Sequence, residues 1–210
     1  MTTAGGRWRP GGSVHAGMPS AASTTTPLRR QLAGETLGRR PAALDAFLLA
    51  RRKFLAGERV DMTSLAAELG VNRVTLYRWV GSREQLLVEI VWGLARRTLD
   101  DIVAADGGAE GREVRILMAF LEATLAHPGM QRWLTEEGES AMRLLTRHDT
   151  DFQPRLIAAV EGLLDPGDPD RHEVAYALVR VIESYTYLDL ITGERPEAGR
   201  ARPIFARLVG

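Results

Sequence analysis

Apolar and polar residues follow one another along this chain with the period of an α-helix. Pro41 suits the first turn of a helix. From there to Gly57 the apolar positions recur with the three- and four-residue spacing of one helix face. These positions are Leu44, Phe47, Leu48, Phe54 and Leu55. The second half has helical segments near 112–126, 130–146, 151–165, 170–192 and 200–209, with no competing strand pattern. The spacing therefore predicts an all-α protein.

Two short helices and a longer one are predicted after Gly57 from the residues at their ends. Asp61 is a good cap for the first of them, and Gly70 ends it in a position suited to positive φ. Asn72 is a good cap for the second, RVTLYRW. Ser82 and Gln85 then fit a capping box at the start of a long helix.

Residues 61–80, DMTSLAAELGVNRVTLYRWV, have the spacing of a helix-turn-helix. The first helix is short enough to cross a DNA backbone, and the second presents its N-terminal residues to base edges in the major groove. Leu65, Leu69 and Leu76 are predicted to be structural, and Ala66 lies where the helices cross. A solvated helical hairpin is the alternative, but it has no need of an exposed Val, Thr, Tyr and Trp so close together.

Residues 41–92 contain the stretch L-A-x-E-L-G-V-x-R-x-T-L-Y-R-W-V-x-S-R-E-x-L. Through this stretch they resemble the DNA-binding domain of TetR-family transcriptional regulators. The resemblance covers about a quarter of the chain. It implies an N-terminal three-helix helix-turn-helix domain, a C-terminal helical bundle and a dimer. We expect a disordered tail over 1–33, the DNA-binding domain over 34–85 and a ligand-binding and dimerisation domain over 86–210.

The resemblance also implies which residues read bases. Arg73 and Val74 match base-reading positions of the second short helix. An arginine can donate hydrogen bonds to O6 and N7 of guanine, and a valine can pack on a thymine methyl group.

Other matched positions imply contacts to the DNA backbone. Thr63 matches a position where a hydroxyl and a helix N-terminus meet phosphate, and Thr75 and Tyr77 match residues that hold phosphate through hydroxyls. Trp79 can donate its indole N–H to phosphate, and Arg83 matches a basic phosphate-binding position.

Charge is distributed unevenly although the net charge is zero. Residues 1–99 carry 15 basic and 7 acidic side chains, a net of +8, so residues 100–210 carry a net of −8. A polyanion would prefer the first half, although uneven surface charge without a partner gives the same count. Residues 1–26 contain 15 Gly, Pro, Ser or Thr and no acidic residue, which indicates a disordered tail.

Several functional classes lack their residues in this sequence. There is no cysteine, no P-loop, no G-x-G-x-x-G and no His-x-x-x-His pair, and Gly138–Met142 lacks the final glycine of G-x-S-x-G. His148–Asp151 fits either a hard cation or, more simply, a solvated loop. We expect no catalytic residue, no metal and no cofactor. No apolar stretch reaches the roughly 18 residues that span a bilayer, so we expect a cytoplasmic protein without membrane contact.

The C-terminal helices supply candidates for a ligand pocket, although each is more often simple core. The candidates are Met118, Phe120, Trp133, Met142, Phe152 and Tyr185. On 170–192, one apolar stripe contains Val174, Leu178, Val181, Tyr185 and Leu188, and another contains Val179, Ile182 and Thr186. Two stripes suggest two partners, the domain's own core and a second subunit. A third stripe fits ligand contacts, a salt bridge at the dimer interface or a solvent-exposed face. It contains Tyr176, Arg180, Glu183 and Tyr187.

These observations predict a ligand-responsive DNA-binding regulator. We expect a homodimeric repressor on a palindromic duplex operator, released by a small apolar effector. A narrower resemblance, of RRQLAGETLGRRPAALDAF and LAGERVDM to QsdR-type regulators associated with lactone metabolism, suggests a lactone. The alternative is a constitutive DNA-binding or protein-interaction module without a small-molecule inducer.

Overall fold

The computed structural model describes residues 26–32, 42–108 and 110–210, and within these ranges the chain forms helices and no β-strand. The prediction of an all-α protein is confirmed. In chain order the α-helices are α1 Pro27–Leu32, α2 Ala42–Leu55, α3 Met62–Glu68, α4 Arg73–Val80, α5 Arg83–Ala105, α6 Arg112–Ala126, α7 Pro128–Thr146, α8 Phe152–Glu161, α9 Arg171–Thr186, α10 Leu188–Thr192 and α11 Arg202–Val209, with a 3₁₀ helix at Ala198–Ala201. No helix in the described ranges is both long and apolar enough to cross a bilayer.

The predicted ends of the short helices are confirmed. Asp61 caps α3, and Asn72 caps α4 by accepting a hydrogen bond from the Thr75 backbone N–H. Ser82 and Gln85 form a complete capping box at the start of α5. These caps satisfy N–H groups that have no partner within the helix, and each stabilises a helix by about 1 kcal/mol. The turns between the helices are therefore determined by local sequence.

Helix α1 corrects the prediction of a disordered tail over 1–33. Its residue Leu28 is completely buried, and Arg29 pairs with Glu89 at 2.8 Å and with Asp151. These partners lie far along the sequence, so the composition of the tail could not predict them. Residues 1–25 and residue 33 of the predicted tail lie outside the described residues.

Helix α2 begins where the pattern predicts but buries a different face. Leu44 and Leu48 are exposed, which corrects their assignment to the apolar face. The buried face consists of Ala43, Ala46, Phe47, Ala50 and Phe54. Its alanines carry so little side chain that neighbouring helices can approach closely, and a search for large apolar residues overlooks them.

The C-terminal segments match their predicted positions, with one correction. Residues 170–192 form two helices, because the backbone of Tyr187 (φ −108°, ψ 20°) leaves the helical region between α9 and α10. No glycine or proline marks this break. Helix α7 also contains a non-helical residue, Glu137 (φ −135°, ψ 29°), at which it bends.

Helix α6 is central, as its apolar sequence predicts. Ile116, Leu117 and Leu121 are completely buried, and the helix packs against α5, α7, α9 and α11. We call α1 to α4 with the first turns of α5 the head, and α6 to α11 the body. Helix α5 runs without interruption through the predicted domain boundary at residue 85, so it belongs to both.

Candidate nucleic-acid interface and cavity

The two helices of the helix-turn-helix are held together by a small core. Leu65 and Leu76 are completely buried, and Ala66 is nearly so. Because Ala66 has only a methyl group, α3 and α4 can approach closely at this point. Gly70 has φ +66°, which lets the chain reverse between the helices. The outer side of α4 is therefore a surface of fixed orientation.

Four exposed residues occupy that outer side: Arg73, Val74, Tyr77 and Arg78, which we call the α4 face. Val74 is 77 % exposed, an unusual position for a branched apolar side chain. The guanidinium of Arg73 lies over the Tyr77 ring, 5.9 Å from its centroid, and its Nη2 is 3.5 Å from the Tyr77 hydroxyl. The α4 face thus combines two cations, an apolar contact and an aromatic hydroxyl.

The resemblance implies no role for Arg78. Its side chain is exposed and has no ion pair or hydrogen bond with any described residue. It lies four residues after Val74, and this spacing could have identified it. An exposed cation without a protein partner is available to bind phosphate.

Thr63 is exposed at the start of α3, but the helix N-terminus beside it is already occupied. Asp61 Oδ1 accepts the backbone N–H groups of Thr63 at 3.0 Å and Ser64 at 2.8 Å. The hydrogen bonds from Ser64 and Thr63 hold the pKa of Asp61 below its usual value, although its partial burial opposes this. A phosphate arriving here would meet a carboxylate, so a contact at Thr63 depends on the hydroxyl alone.

Thr75 and Trp79 lie one turn apart on the flank of α4 and are half-buried. The indole of Trp79 packs against the hydrophobic core, so only part of it faces solvent. Both residues border the α4 face without belonging to it.

Arg83 does not lie free on the surface, contrary to the role that the resemblance implies. Its Nε donates to the Val60 carbonyl oxygen at 2.6 Å. Its two terminal nitrogens donate to both carboxylate oxygens of Glu137 at 2.7 and 2.8 Å. Glu137 is the residue at which α7 bends. Arg83 therefore joins the loop before α3 and the start of α5 to the body, and we call these contacts the Arg83 joint.

A cavity of about 60 Å³ lies between α5, α6, α7, α8 and α9. Two of the predicted pocket residues, Phe120 and Phe152, line it. The other four, Met118, Trp133, Met142 and Tyr185, do not line this cavity. Trp133 instead packs edge-on against Phe54, and the Tyr185 hydroxyl donates to the Arg200 carbonyl oxygen at 3.2 Å.

Three ionisable residues contribute to the cavity wall: His127, Glu183 and Tyr187. Burial lowers the pKa of His127 and favours its neutral ring. Burial raises the pKa of Glu183 against the opposing effects of Gln153 and Arg180, and it also raises the pKa of the Tyr187 hydroxyl. At neutral pH both the histidine and the tyrosine of this wall are therefore uncharged.

The segment His148–Asp151 forms a loop before α8. Asp149 pairs with Arg147, and Asp151 pairs with Arg29 and Arg155. Among the described residues, no group of three histidines or carboxylates is arranged to hold a metal ion.

Comparison with known proteins finds similarity to transcriptional regulators. Residues 108–210 match the family model described as the tetracyclin repressor-like C-terminal domain. The chain is 28% identical over 130 residues to the HTH-type transcriptional regulator BetI of Agrobacterium fabrum (strain C58), covering 57% of this chain and 63% of that protein. It is 26% identical over 121 residues to BetI of Rhizobium meliloti (strain 1021), covering 53% and 60%. The chain thus spans less than two thirds of the length of these curated relatives.

A solved structure has the same fold. The R. erythropolis transcriptional repressor QsdR from the TetR family superposes with a TM-score of 0.70 at 23% identity, over 80% of this chain and 94% of QsdR. These three relatives are transcriptional regulators.

Proposed function

We propose that this chain, which belongs to the TetR family, binds duplex DNA through α4 and regulates transcription. The observation that carries the proposal is the α4 face, an exposed set of Arg73, Val74, Tyr77 and Arg78 on a helix fixed by its cap and its core. A helix of this size fits the major groove of B-DNA. The role places the protein in the cytoplasm.

The side chains of the α4 face divide into two tasks. Arg73 and Val74 lie in the first turn and are suited to guanine and to a thymine methyl, respectively. Arg78 and the Tyr77 hydroxyl are suited to phosphate, as are Thr63, Thr75 and Trp79. The net positive charge of residues 1–99 attracts the duplex at long range.

Two copies of the chain would act together. Tyr176 on α9 and Leu190 and Ile191 on α10 are exposed large side chains, and Val174 and Val181 are half-buried. Burying this surface against a second copy would remove apolar area from water. A dimer with its two α4 helices about 34 Å apart would read a palindromic operator.

The cavity supports regulation by a small apolar effector, of which a lactone is one case. In this proposal the unliganded protein represses transcription. Its wall includes Phe152 and Tyr187 of the body and Val91 of α5. Since α5 also carries the first turns of the head, an effector that favours another position of α5 would change the spacing of the two heads. The alternative is a constitutive DNA-binding or protein-interaction module, which the same fold would support without an effector.

The two roles on the α4 face predict that one substitution reduces sequence preference and another reduces overall DNA affinity. Arg73→Ala should reduce the preference for a specific duplex over a scrambled one by about 5- to 150-fold, equivalent to roughly 1–3 kcal/mol. Arg78→Ala should weaken both duplexes alike and lower the salt slope by about 1. Fluorescence-anisotropy titrations at several salt concentrations measure both quantities.

The control is Arg207→Ala, which removes one exposed charge from α11 in the body. It should leave both quantities nearly unchanged. Equal effects of Arg73→Ala and Arg78→Ala on preference and on salt slope would contradict the assignment, and no duplex preference in the unmodified protein would remove the proposed function.

A further inference from the structure

We infer that α1 holds α4 in its DNA-reading position, and that a ring of four charged side chains fixes α1 to the body. The ring consists of Arg29 in α1, Glu89 in α5, Asp151 just before α8 and Arg155 within α8, and we call it the Glu89 ring. Its members are positioning residues, because none of them belongs to the α4 face. The inference rests on the proposed function, since it gives them a part in DNA binding through α4.

Glu89 is the centre of the ring. Its side chain is only 7 % exposed, and guanidinium groups from two different helices bind it. Arg29 Nε donates to Oε1 at 2.8 Å, and the two terminal nitrogens of Arg155 donate to the carboxylate at 3.2 and 3.3 Å. A carboxylate this deeply buried is costly unless it is paired. Because Glu89 needs its partners, it holds Arg29, and with it α1, against α5 and α8.

Asp151 closes the ring instead of capping a helix. It occupies the N-cap position of α8, where an aspartate commonly accepts backbone N–H groups, but its side chain accepts none from the backbone of α8. Its carboxylate pairs with Arg29 and, at 3.5 Å, with Arg155. By contrast, the carboxylate of Asp61 caps α3. The side chain of Asp151 therefore joins α1 to α8 rather than completing the end of its own helix.

Arg155 is held from two directions. Its guanidinium lies over the Trp92 ring, 4.7 Å from the ring centroid, while it also binds Glu89. A cation over an aromatic ring is attracted to the ring electrons. Trp92 in turn packs edge-on against Phe152, with 6.5 Å between ring centroids. Helices α5 and α8 are thus joined firmly at the place where Arg29 attaches.

Helix α1 connects this ring to α4. It has six residues, too few for a helix that is stable on its own in water. It packs against α2 and α4, with Leu28 completely buried. Thr26, just before α1, lies beside the turn after α4, because a Cβ on Gly81 would be 3.1 Å from its Cγ2. A ring that fixes α1 therefore also fixes the C-terminal end of α4.

The Glu89 ring and the Arg83 joint hold α5 on different sides. Arg83 and Glu89 are six positions apart on α5, which places their side chains roughly 120° from each other around the helix axis. The Arg83 joint binds α7, and the ring binds α1 and α8. The head is therefore attached to the body at two places, and the orientation of α4 depends on both.

Glu89→Gln tests the inference on the full chain, and Asp106→Asn is its matched control. The Asp106 side chain is likewise a buried carboxylate, 8 % exposed, that pairs with Arg112 and Arg115, but it lies at the opposite end of α5 from the head. Both variants should lower the melting temperature by a few degrees, because each leaves buried arginine partners without a countercharge.

Only Glu89→Gln should affect DNA binding. It should weaken binding to the duplex that the unmodified protein selects by about tenfold, the equivalent of one lost base contact, with an unchanged salt slope. If charge alone acted, loss of a carboxylate would strengthen DNA binding instead. DNA binding by Glu89→Gln that is equal or stronger, or an equal loss in Asp106→Asn, overturns the inference. Asp151→Asn, at a half-buried member of the ring, gives the same test if Glu89→Gln does not fold.

A double-variant cycle examines the pair of Arg29 and Glu89. Arg29→Gln should weaken DNA binding about as much as Glu89→Gln, and the double variant should bind no more weakly than either single variant. If Arg29 instead contacts phosphate, Arg29→Gln should lower the salt slope by about 1. That result overturns the inference.

Amide hydrogen exchange of the DNA-free protein separates the two proposals. Glu89→Gln should speed exchange in α1 and at the C-terminal end of α4, and Asp106→Asn should not. Unchanged exchange in these helices overturns the inference, whether or not the chain binds DNA. Faster exchange, in a chain whose unmodified form has no duplex preference, contradicts the proposed function and supports the attachment of α1 and α4 by the ring.

Discussion

Replacing Gly129 by alanine is expected to lower the free energy of unfolding by about 3 kcal/mol, the upper range for overpacking a well-packed site. Gly129 lies in the first turn of α7, where the helix meets the end of α2. A Cβ placed on it would lie 2.1 Å from the Phe54 carbonyl oxygen and 2.8 Å from the Phe54 ring. The carbonyl oxygen is backbone, so it cannot rotate away as a side chain would. The helices must move apart to admit one methyl group.

The consequence extends beyond one contact, because Phe54 connects the head to the body. Its ring lies 6.0 Å from His127 and 5.9 Å from Trp133 between ring centroids. Moving α7 away from α2 would disturb both contacts, and His127 belongs to the cavity wall. We therefore expect Gly129→Ala to weaken the docking of the head on the body as well as overall stability.

Chemical denaturation monitored by circular dichroism measures this change. The matched control is Gly93→Ala within α5, where a Cβ meets nothing within 4 Å. This control should gain up to about 1 kcal/mol, since alanine favours a helix more than glycine does. A Gly129→Ala protein as stable as the unmodified one would show that α2 and α7 are not packed as described.

The second large effect is expected at the Arg83 joint. Glu137→Ala should lower the free energy of unfolding by about 2 kcal/mol, because it leaves a half-buried guanidinium without its bidentate partner. Arg83→Ala should cost a similar amount by losing the same pair and the bond to Val60. The double variant should cost little more than either single variant, with a coupling of about 1–3 kcal/mol.

The same variants distinguish two roles for Arg83. If Arg83 binds phosphate, Glu137→Ala should free it and strengthen DNA binding. If Arg83 is a joint, Glu137→Ala and Arg83→Ala should both weaken DNA binding, because the head loses its fixed orientation. We expect the second result. Arg97→Ala is the control for a surface ion pair, since Arg97 and Asp101 are both exposed, and it should change stability by less than about 0.5 kcal/mol.

Local features of this protein could be read from its sequence, and long-range ones could not. Each helix cap acts on residues two or three positions away, so the adjacent sequence is enough to predict it. The caps are Asp61, Asn72 and Ser82. The exposed position of Val74 follows from the same short-range spacing. By contrast, Arg83 and Glu137 are 54 positions apart, and nothing in their surroundings identifies them as partners.

The residues that line the cavity could also be predicted only in part from the sequence. Among the large aromatic and sulfur side chains of the C-terminal helices, Phe120 and Phe152 line the cavity. Trp133 belongs to the same set of side chains but packs against Phe54, and the sequence alone does not indicate which side of a buried helix a residue faces. The sequence assigns Tyr187 to a polar stripe, but its position at a break between two helices depends on tertiary packing.

The most direct test of the account is selection of duplexes from a random pool by the purified protein. Sequence-specific reading by the α4 face of two copies predicts enrichment of two inverted half-sites with centres about 10 base pairs apart. Arg73→Ala should relax the base preference within each half-site. A pool that remains random after repeated rounds, with only a general and salt-sensitive affinity, would contradict the claim that this chain reads DNA sequence.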